Sequence, residues 1–510
     1  MTNKKSSIVY ALVIILTILV SACAASAAGD ANAAAAAPVD GQAMPPEGAP
    51  EGMPEGAMPE GTRGAMPPAG EAPAVQTPVT ETTNAAAPTA TIAPTATPDE
   101  ESTEKTSDLN INAVLTVAKK TFNKTDEDII SNEDDTSAAL ITNAGNLTIG
   151  NISVTTSGDT SSVNNSARYG QNAAILGKEG SALKVLYDSV TTSGKGATGV
   201  FATNEETTAK ILDESITTSG DYARGVMVTE LASMTVTDSD VTTSGYKSPA
   251  IATGIEGGSI TVEGGSAKTS GTNSAAIYST SEINVSGTTL AADASPAAAV
   301  EGAGSISLTD VDATSGVNNG GAVQFYPSSS DKVKSGVGSF AMAGGSLTAT
   351  VTNSALFYIA DAEGSVELKN VDLNTASGVL VKAAALTSDK YSTGGILTVN
   401  AEGQSMTGDV VADAASSVTL NLSDGSSLTG AVSPTNEGRV VNISLDESST
   451  WTVTADSYLT KLDDQNGISD SDVNNIIGNG YTVYYNKNAN VYLRGRIYNL
   501  SGGGYLKPLN

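Results

Sequence analysis

A chain of 510 residues with a net charge of −29 is a poor partner for nucleic acid or an anionic membrane surface. It has no histidine and one cysteine, which excludes Ser-His-Asp and Cys-His catalysis, histidine zinc sites and any disulfide within the chain. Aromatic residues make up 4% and charged residues 16%, alongside 52 glycines, which is too little bulk for a sphere-like core but enough for a thin, repeated one.

Residues 1–23 read as a lipoprotein signal peptide. Lys4 and Lys5 supply the positive start, and residues 8–20 are almost unbroken apolar sequence, short for a membrane span. The segment ends Leu19-Val20-Ser21-Ala22-Cys23, which resembles the bacterial lipobox. On that resemblance Val20, Ser21 and Ala22 are the recognition residues for cleavage, and Cys23 is the site of lipid attachment. The chain is then exported, held at the bacterial cell membrane by its lipid and exposed at the surface. Each buried methylene of such a lipid contributes about 0.8 kcal/mol.

Residues 24–108 hold 13 of the 18 prolines, in pieces such as Met44-Pro45-Pro46-Glu47-Gly48. Low bulk, proline and one-sign charge predict a disordered Pro/Ala/Gly/Glu linker with no core. At about 3.1 Å per residue it would reach roughly 260 Å, a stalk that lifts a head away from the membrane.

From residue 109 to 455 the sequence repeats. Val190-Thr191-Thr192-Ser193-Gly194 returns as Ile216-Thr217-Thr218-Ser219-Gly220, as Val241-Thr242-Thr243-Ser244-Gly245 and, degenerately, as Ala267-Lys268-Thr269-Ser270-Gly271, at steps of 26, 25 and 26. An earlier copy begins at Val154. A second piece in each unit is apolar (Gly199-Val200-Phe201, Gly225-Val226-Met227), and a third alternates (Ala209-Lys210-Ile211, Met234-Thr235-Val236). Alternating β-branched residues between Gly, Ser, Asn and Asp clusters predict strands. Three short strands per unit of about 25 residues predict an all-β chain wound as a right-handed, three-stranded parallel β-helix of about 15 coils. The threonine column Thr156, Thr192, Thr218, Thr243 and Thr269 is expected to face inward, with hydroxyls bonded along the stack. An insertion is expected between Tyr326 and Val337. Residues 456–510 are tyrosine-rich and read as C-terminal coils or a cap, with sugar stacking as the alternative.

Laid out this way, the units resemble the passenger domains of pertactin-like autotransporter adhesins, over residues 145–400. The resemblance lies in repeat style, as in Ile216 to Gly220 followed by Gly225-Val226-Met227. It implies a surface-displayed, adhesin-like rod. The family's C-terminal run of amphipathic barrel strands has no counterpart, and a lipobox stands in front instead, so self-secretion is not carried over.

Few residues point to chemistry. Gly194-Lys195-Gly196-Ala197-Thr198-Gly199 matches a dinucleotide-binding string but is expected to lack the following helix, leaving turn glycines. Asp464-Gln465-Asn466-Gly467 fails as a calcium loop because Leu462 and Val473 fall at ligand positions, so a solvated acidic loop is expected. Asp188, Asp213 and Asp238 form an apparent acidic column, as do Glu205, Glu230, Glu256 and Glu282. These are solvated turns on the plain reading and calcium bridges on the sharper one. In the apolar strand, if Val200 and Val226 face inward, Leu176, Phe201, Met227, Ala252 and Tyr278 face outward, with Phe357 and Leu380 continuing the row. Exposed, that row would be a binding stripe; the alternative is that a loop or residues 109–145 cover it.

The sequence therefore predicts a cofactor-free adhesin-like or structural binding protein whose ligand is a host, cell-surface or glycan partner. The alternative is a polysaccharide-active β-helix enzyme, a lyase or glycosidase built on carboxylates one coil apart.

Overall fold

In the computed structural model, which describes residues 109–386 and 393–509, the strands pair with their own copies one coil away. Val154, Val190, Ile216, Val241, Ala267 and Leu290 are successive register partners. Ile211 sits between Val185 and Val236 in the same way. The result is a parallel β-solenoid of about 16 turns. Three strands recur per coil, for example Val200–Ala202, Thr208–Leu212 and Ser215–Thr218. The apolar strands build one 12-stranded sheet, and the alternating and Val-Thr-Thr strands join a 22-stranded one.

The repeated pentapeptide has a physical reason at each position. In Ser215–Thr218 the alternation buries Ile216 and Thr218 and exposes Thr217. The final glycine is required by a close approach of backbones. A Cβ at Gly220 would stand 1.9 Å from the Gly194 carbonyl oxygen, and one at Gly245 would stand 1.9 Å from that of Gly220. Gly194 and Gly271 meet the same obstruction, so any side chain there would force the coils apart.

The threonine column is buried as expected, but its hydroxyls do not bond along the stack. Thr192 donates to the Ala197 carbonyl at 2.6 Å, Thr218 to that of Ala223 at 2.9 Å and Thr243 to that of Ser248 at 2.5 Å. These three hydroxyls tie down the turns of their own coils, while those of Thr156 and Thr269 are buried without a partner. A neighbouring threonine one coil away, at about 4.8 Å, is a poorer partner than a carbonyl already within hydrogen-bond reach.

Two excursions leave the regular coil. The coil between Ser153 and Ser189 is 36 residues long and contains the helix Val163–Tyr169. Ser162 caps its start by accepting from the Asn165 N–H, and Gly170 ends it in the left-handed region at φ 72°. The second excursion follows Gly321–Tyr326, where residues 327–336 form a loop before Val337–Ala349, as the sequence predicts.

The C-terminal coils keep the parallel stacking, with Asp472–Ile477 beside Tyr498–Ser501 and Thr482–Asn486 beside Tyr505–Leu509, and add an antiparallel pairing at the end. Tyr498–Ser501 runs antiparallel to Tyr505–Leu509. Tyr485 and Tyr498 are buried and donate to the carbonyls of Arg496 and Leu493. Tyr481 and Tyr505 remain exposed, and Tyr458 stacks on Tyr484 at 4.7 Å with Lys507 above.

Candidate functional site

The parity of the apolar strand is as the sequence predicts. Val200, Val226 and Ile251 join the core inside the coils. Leu176, Phe201, Met227, Ala252 and Tyr278 form a separate apolar cluster on the opposite face. That face is not open, however. Leu176 and Phe201 are 0% exposed, Met227 4% and Tyr278 3%, so the candidate stripe is no surface.

Three segments cover it. Gly170 lies directly over Leu176 and Phe201, and a Cβ there would stand 2.6 Å from Leu176 Cδ1. The preceding helix is held down by Ser166, which donates to the Gly196 carbonyl at 2.6 Å, and by its Arg168 carbonyl, which accepts from the Thr229 hydroxyl at 3.1 Å. Val333 of the 327–336 loop lies over the other end, near Met227 and Tyr278. Leu109, Ile111 and Ala113 pack against the same cluster. Phe357 and Leu380 do not continue the row: Phe357 pairs with Val323 and Val381, and both it and Leu380 belong to the core within the coils. Phe357 stands on the inward column that runs from Ile251 through Ile277, Ala298 and Val323, and Leu380 falls at a register irregularity between Val379 and Val381.

The acidic columns are corrected by register. Leu186 pairs with Leu212 and Leu212 with Thr237. Asp213 and Asp238 therefore align with Tyr187, and all three take the left-handed turn conformation, at φ 53°, 48° and 60°. Asp188 is one position further on and aligns with Glu214. Both are buried in a ladder of side chains that cap backbone groups. Asp188 Oδ1 accepts from the Ile152 N–H at 2.6 Å, Glu214 Oε1 from the Asp188 N–H at 2.8 Å and Ser239 Oγ from the Glu214 N–H at 3.1 Å. Burial raises the pKa of both carboxyls, that of Glu214 to about 8, with Asp188 and Asp213 adding to the rise. The three aspartates proposed as calcium ligands thus do not share a column, and among the described residues no group of three or more acidic or thiol side chains is placed to hold a metal. The glutamate column survives only in part: the Glu230 N–H donates to the Ile255 carbonyl at 3.0 Å, which sets Glu230 beside Glu256, and the Glu256 charge adds to the burial that raises the Glu230 pKa. Glu282 pairs with Ser259, Glu230 accepts from Thr203, and Glu256 forms an ion pair with Lys332 at 3.1 Å.

Two smaller expectations resolve in opposite directions. The element after Gly199 is the strand Val200–Ala202, so the glycine string has no helix to bind a pyrophosphate. Asp464, by contrast, is fully buried and not solvated. It accepts from the Gly467 N–H at 3.2 Å and from Asn475 Nδ2 at 2.9 Å, and burial pushes its carboxyl up to about 6. Val20, Ser21, Ala22 and Cys23 lie outside the described residues.

An open groove of about 500 Å³ lies on the outer face of the 22-stranded sheet. It crosses Ser305–Ser315, Val337–Ala349, Glu363–Lys369, Ile396–Glu402 and Ser417–Ser423, five successive coils in register. One outward row reads Ser307, Ala341, Glu367, Asn400 and Asn421. The next reads Thr309, Ala343, Lys369, Glu402 and Ser423. The depression arises because Ser307, Ala341 and Ala343 are small while Glu367 and Lys369 rise beside them. Its wall is ordered by polar contacts: Asn421 donates to Asn400 at 2.8 Å, and Lys369 is paired with Glu402. The sequence reading did not find this groove, since it depends on side-chain size compared across coils of unequal length.

No protein-family model matches this chain, and no curated protein matches it.

Proposed function

We propose that the chain is a lipid-anchored, surface-displayed binding protein that holds an extended glycan along the groove on its long sheet. The observation that carries this reading is the groove itself. It is open, crosses five coils in a straight register, and offers hydroxyl, amide and paired charged groups instead of an apolar pocket. At about 4.8 Å per coil it presents hydrogen-bonding rows over roughly 19 Å, a geometry suited to a linear polymer. The net charge of −29 disfavours polyanions, so a neutral or amino-substituted glycan fits best. The reading is tested with a glycan array probed by the purified chain, together with Glu367→Ala and Asn400→Ala. Saturable binding that both substitutions weaken supports it. Binding to no glycan, or binding indifferent to both, removes it.

The polysaccharide-active reading retains one supporting observation. Glu367 and Glu402 line this groove on adjacent coils, two register positions apart, and glycoside hydrolysis works with a pair of carboxylates. Glu402 is engaged by Lys369 in an ion pair. Release of reducing ends from a bound glycan would transfer the proposal to this reading.

A further inference from the structure

The cover over the outer apolar row does not close completely. Between Met227, Ala252 and Tyr278 on one side and Ala167, Arg168 and Val333 on the other lies a cavity of about 30 Å³. A cavity needs about 10–15 Å³ of this kind to admit one water, so the space takes a ligand of only a few heavy atoms. A sugar ring or nucleotide, which needs a pocket of at least about 300 Å³, does not fit.

The chemistry of the lining is unusual for a protein so rich in acid. Arg224 is 1% exposed and lines the cavity. Its Nη1 donates to the Tyr222 carbonyl at 2.6 Å, while its Nε has no acceptor. Arg168 Nε, on the same cavity, has none either, and the Tyr278 hydroxyl is unpartnered. Among the described residues the ion pairs involve lysines only, so neither guanidinium has a carboxylate within 4.0 Å. Glu301 reaches the cavity wall, but its carboxylate accepts from the N–H and hydroxyl of Ser329, and burial raises its pKa. Lys332, in the loop above, is occupied by Glu256. Burial pulls Arg224 down to about 10, which leaves it charged at neutral pH. A buried guanidinium with no carboxylate in ion-pair reach is unfavourable unless a further anion accompanies it.

We infer that this cavity binds a small monovalent anion, of carboxylate or halide size, held by Arg224 and Arg168 with the Tyr278 hydroxyl as a further donor. A carboxylate suits the guanidinium geometry best, and a halide uses the same donors. Because Arg168 belongs to the helix Val163–Tyr169 and Arg224 and Tyr278 belong to the coils, the anion fastens the helix over the apolar row. Its occupancy thereby controls how firmly the row is covered.

The test uses the full chain, dialysed into sodium gluconate, whose bulk the cavity excludes. Tm is then followed as bromide or acetate replaces gluconate at constant ionic strength. The expected result is a saturable onset followed by a Tm that climbs with the logarithm of anion concentration. Amide exchange in residues 163–169 should slow in parallel. Arg224→Met should fold, lose the anion response and show helix exchange independent of the salt. Crystals in bromide should show an anomalous peak between Arg168 and Arg224. Identical Tm and helix exchange in all three salts with no bromide peak would overturn the inference, as would an Arg224→Met variant that keeps the wild-type response. If Arg224→Met does not fold, the presence or absence of the bromide peak in the unaltered protein decides.

Discussion

Replacing Phe201 with alanine separates a covered apolar row from a binding surface. Phe201 is fully buried, lies between Leu176 and Met227 in register, and has Gly170 against its ring. An aromatic side chain buries about 150–250 Å². At about 25 cal/mol per Å² that corresponds to roughly 4–6 kcal/mol as an upper estimate. Measured Phe→Ala losses in cores run at about 3–5 kcal/mol, and the same range is expected here. Since each coil touches only its neighbours, the loss should be felt locally. The assay is urea denaturation combined with hydrogen exchange, with the exposed Phe122→Ala as control. Protection should fall in Ile175–Gly177, Val200–Ala202 and Val226–Val228, and remain unchanged in Ile396–Glu402. A loss below about 0.5 kcal/mol, equal to the control, would refute the burial argument.

Gly220→Ala should destabilise by more than the about 1 kcal/mol at which glycine and alanine normally differ, because its Cβ would meet the Gly194 carbonyl oxygen at 1.9 Å; a neutral result in denaturation would contradict the close stacking. Glu214→Gln tests the buried carboxyl ladder by its pH dependence. Burial holds the Glu214 pKa at about 8, above its unfolded value of about 4.3, so its contribution is fully present below that unfolded value and is lost as pH rises through 8. Stability should therefore fall across pH 4.3–8 by up to about 1.4 kcal/mol per pH unit from this group, and the glutamine variant should flatten that slope. Cys23→Ser should abolish incorporation of labelled palmitate and release the protein from the membrane fraction; retained label would remove the lipid-anchor proposal.

The solenoid was legible because its period is written in the residues. Val190, Ile216 and Val241 share a column, Ile211 pairs with Val236, and the outward parity of Phe201 follows from the same alternation. The cover was not legible. The segment Val163–Tyr169 reads VNNSARY, too short and polar for an apolar helical period, and only the Ser162 and Gly170 caps and the lengthened coil mark it. Equal sequence steps also misled. Asp188 to Asp213 is 25 residues, while the coil there advances 26, as the Asp188 N–H bond to Glu214 records, so an apparent column splits into an exposed turn row and a buried ladder. The groove depends on Ala341 and Ala343 being small beside Glu367 and Lys369, a comparison between residues far apart in sequence.

Quantitative binding of the purified chain to a glycan array, with the reaction mixture assayed for new reducing ends, bears most directly on the role proposed for the long sheet. The expected outcome is saturable retention of one class of linear neutral or amino-substituted glycan, reduced at least tenfold by Glu367→Ala with Asn400→Ala, and no glycan cleaved. Absence of binding across the array, or retention unaffected by that double substitution, would contradict it.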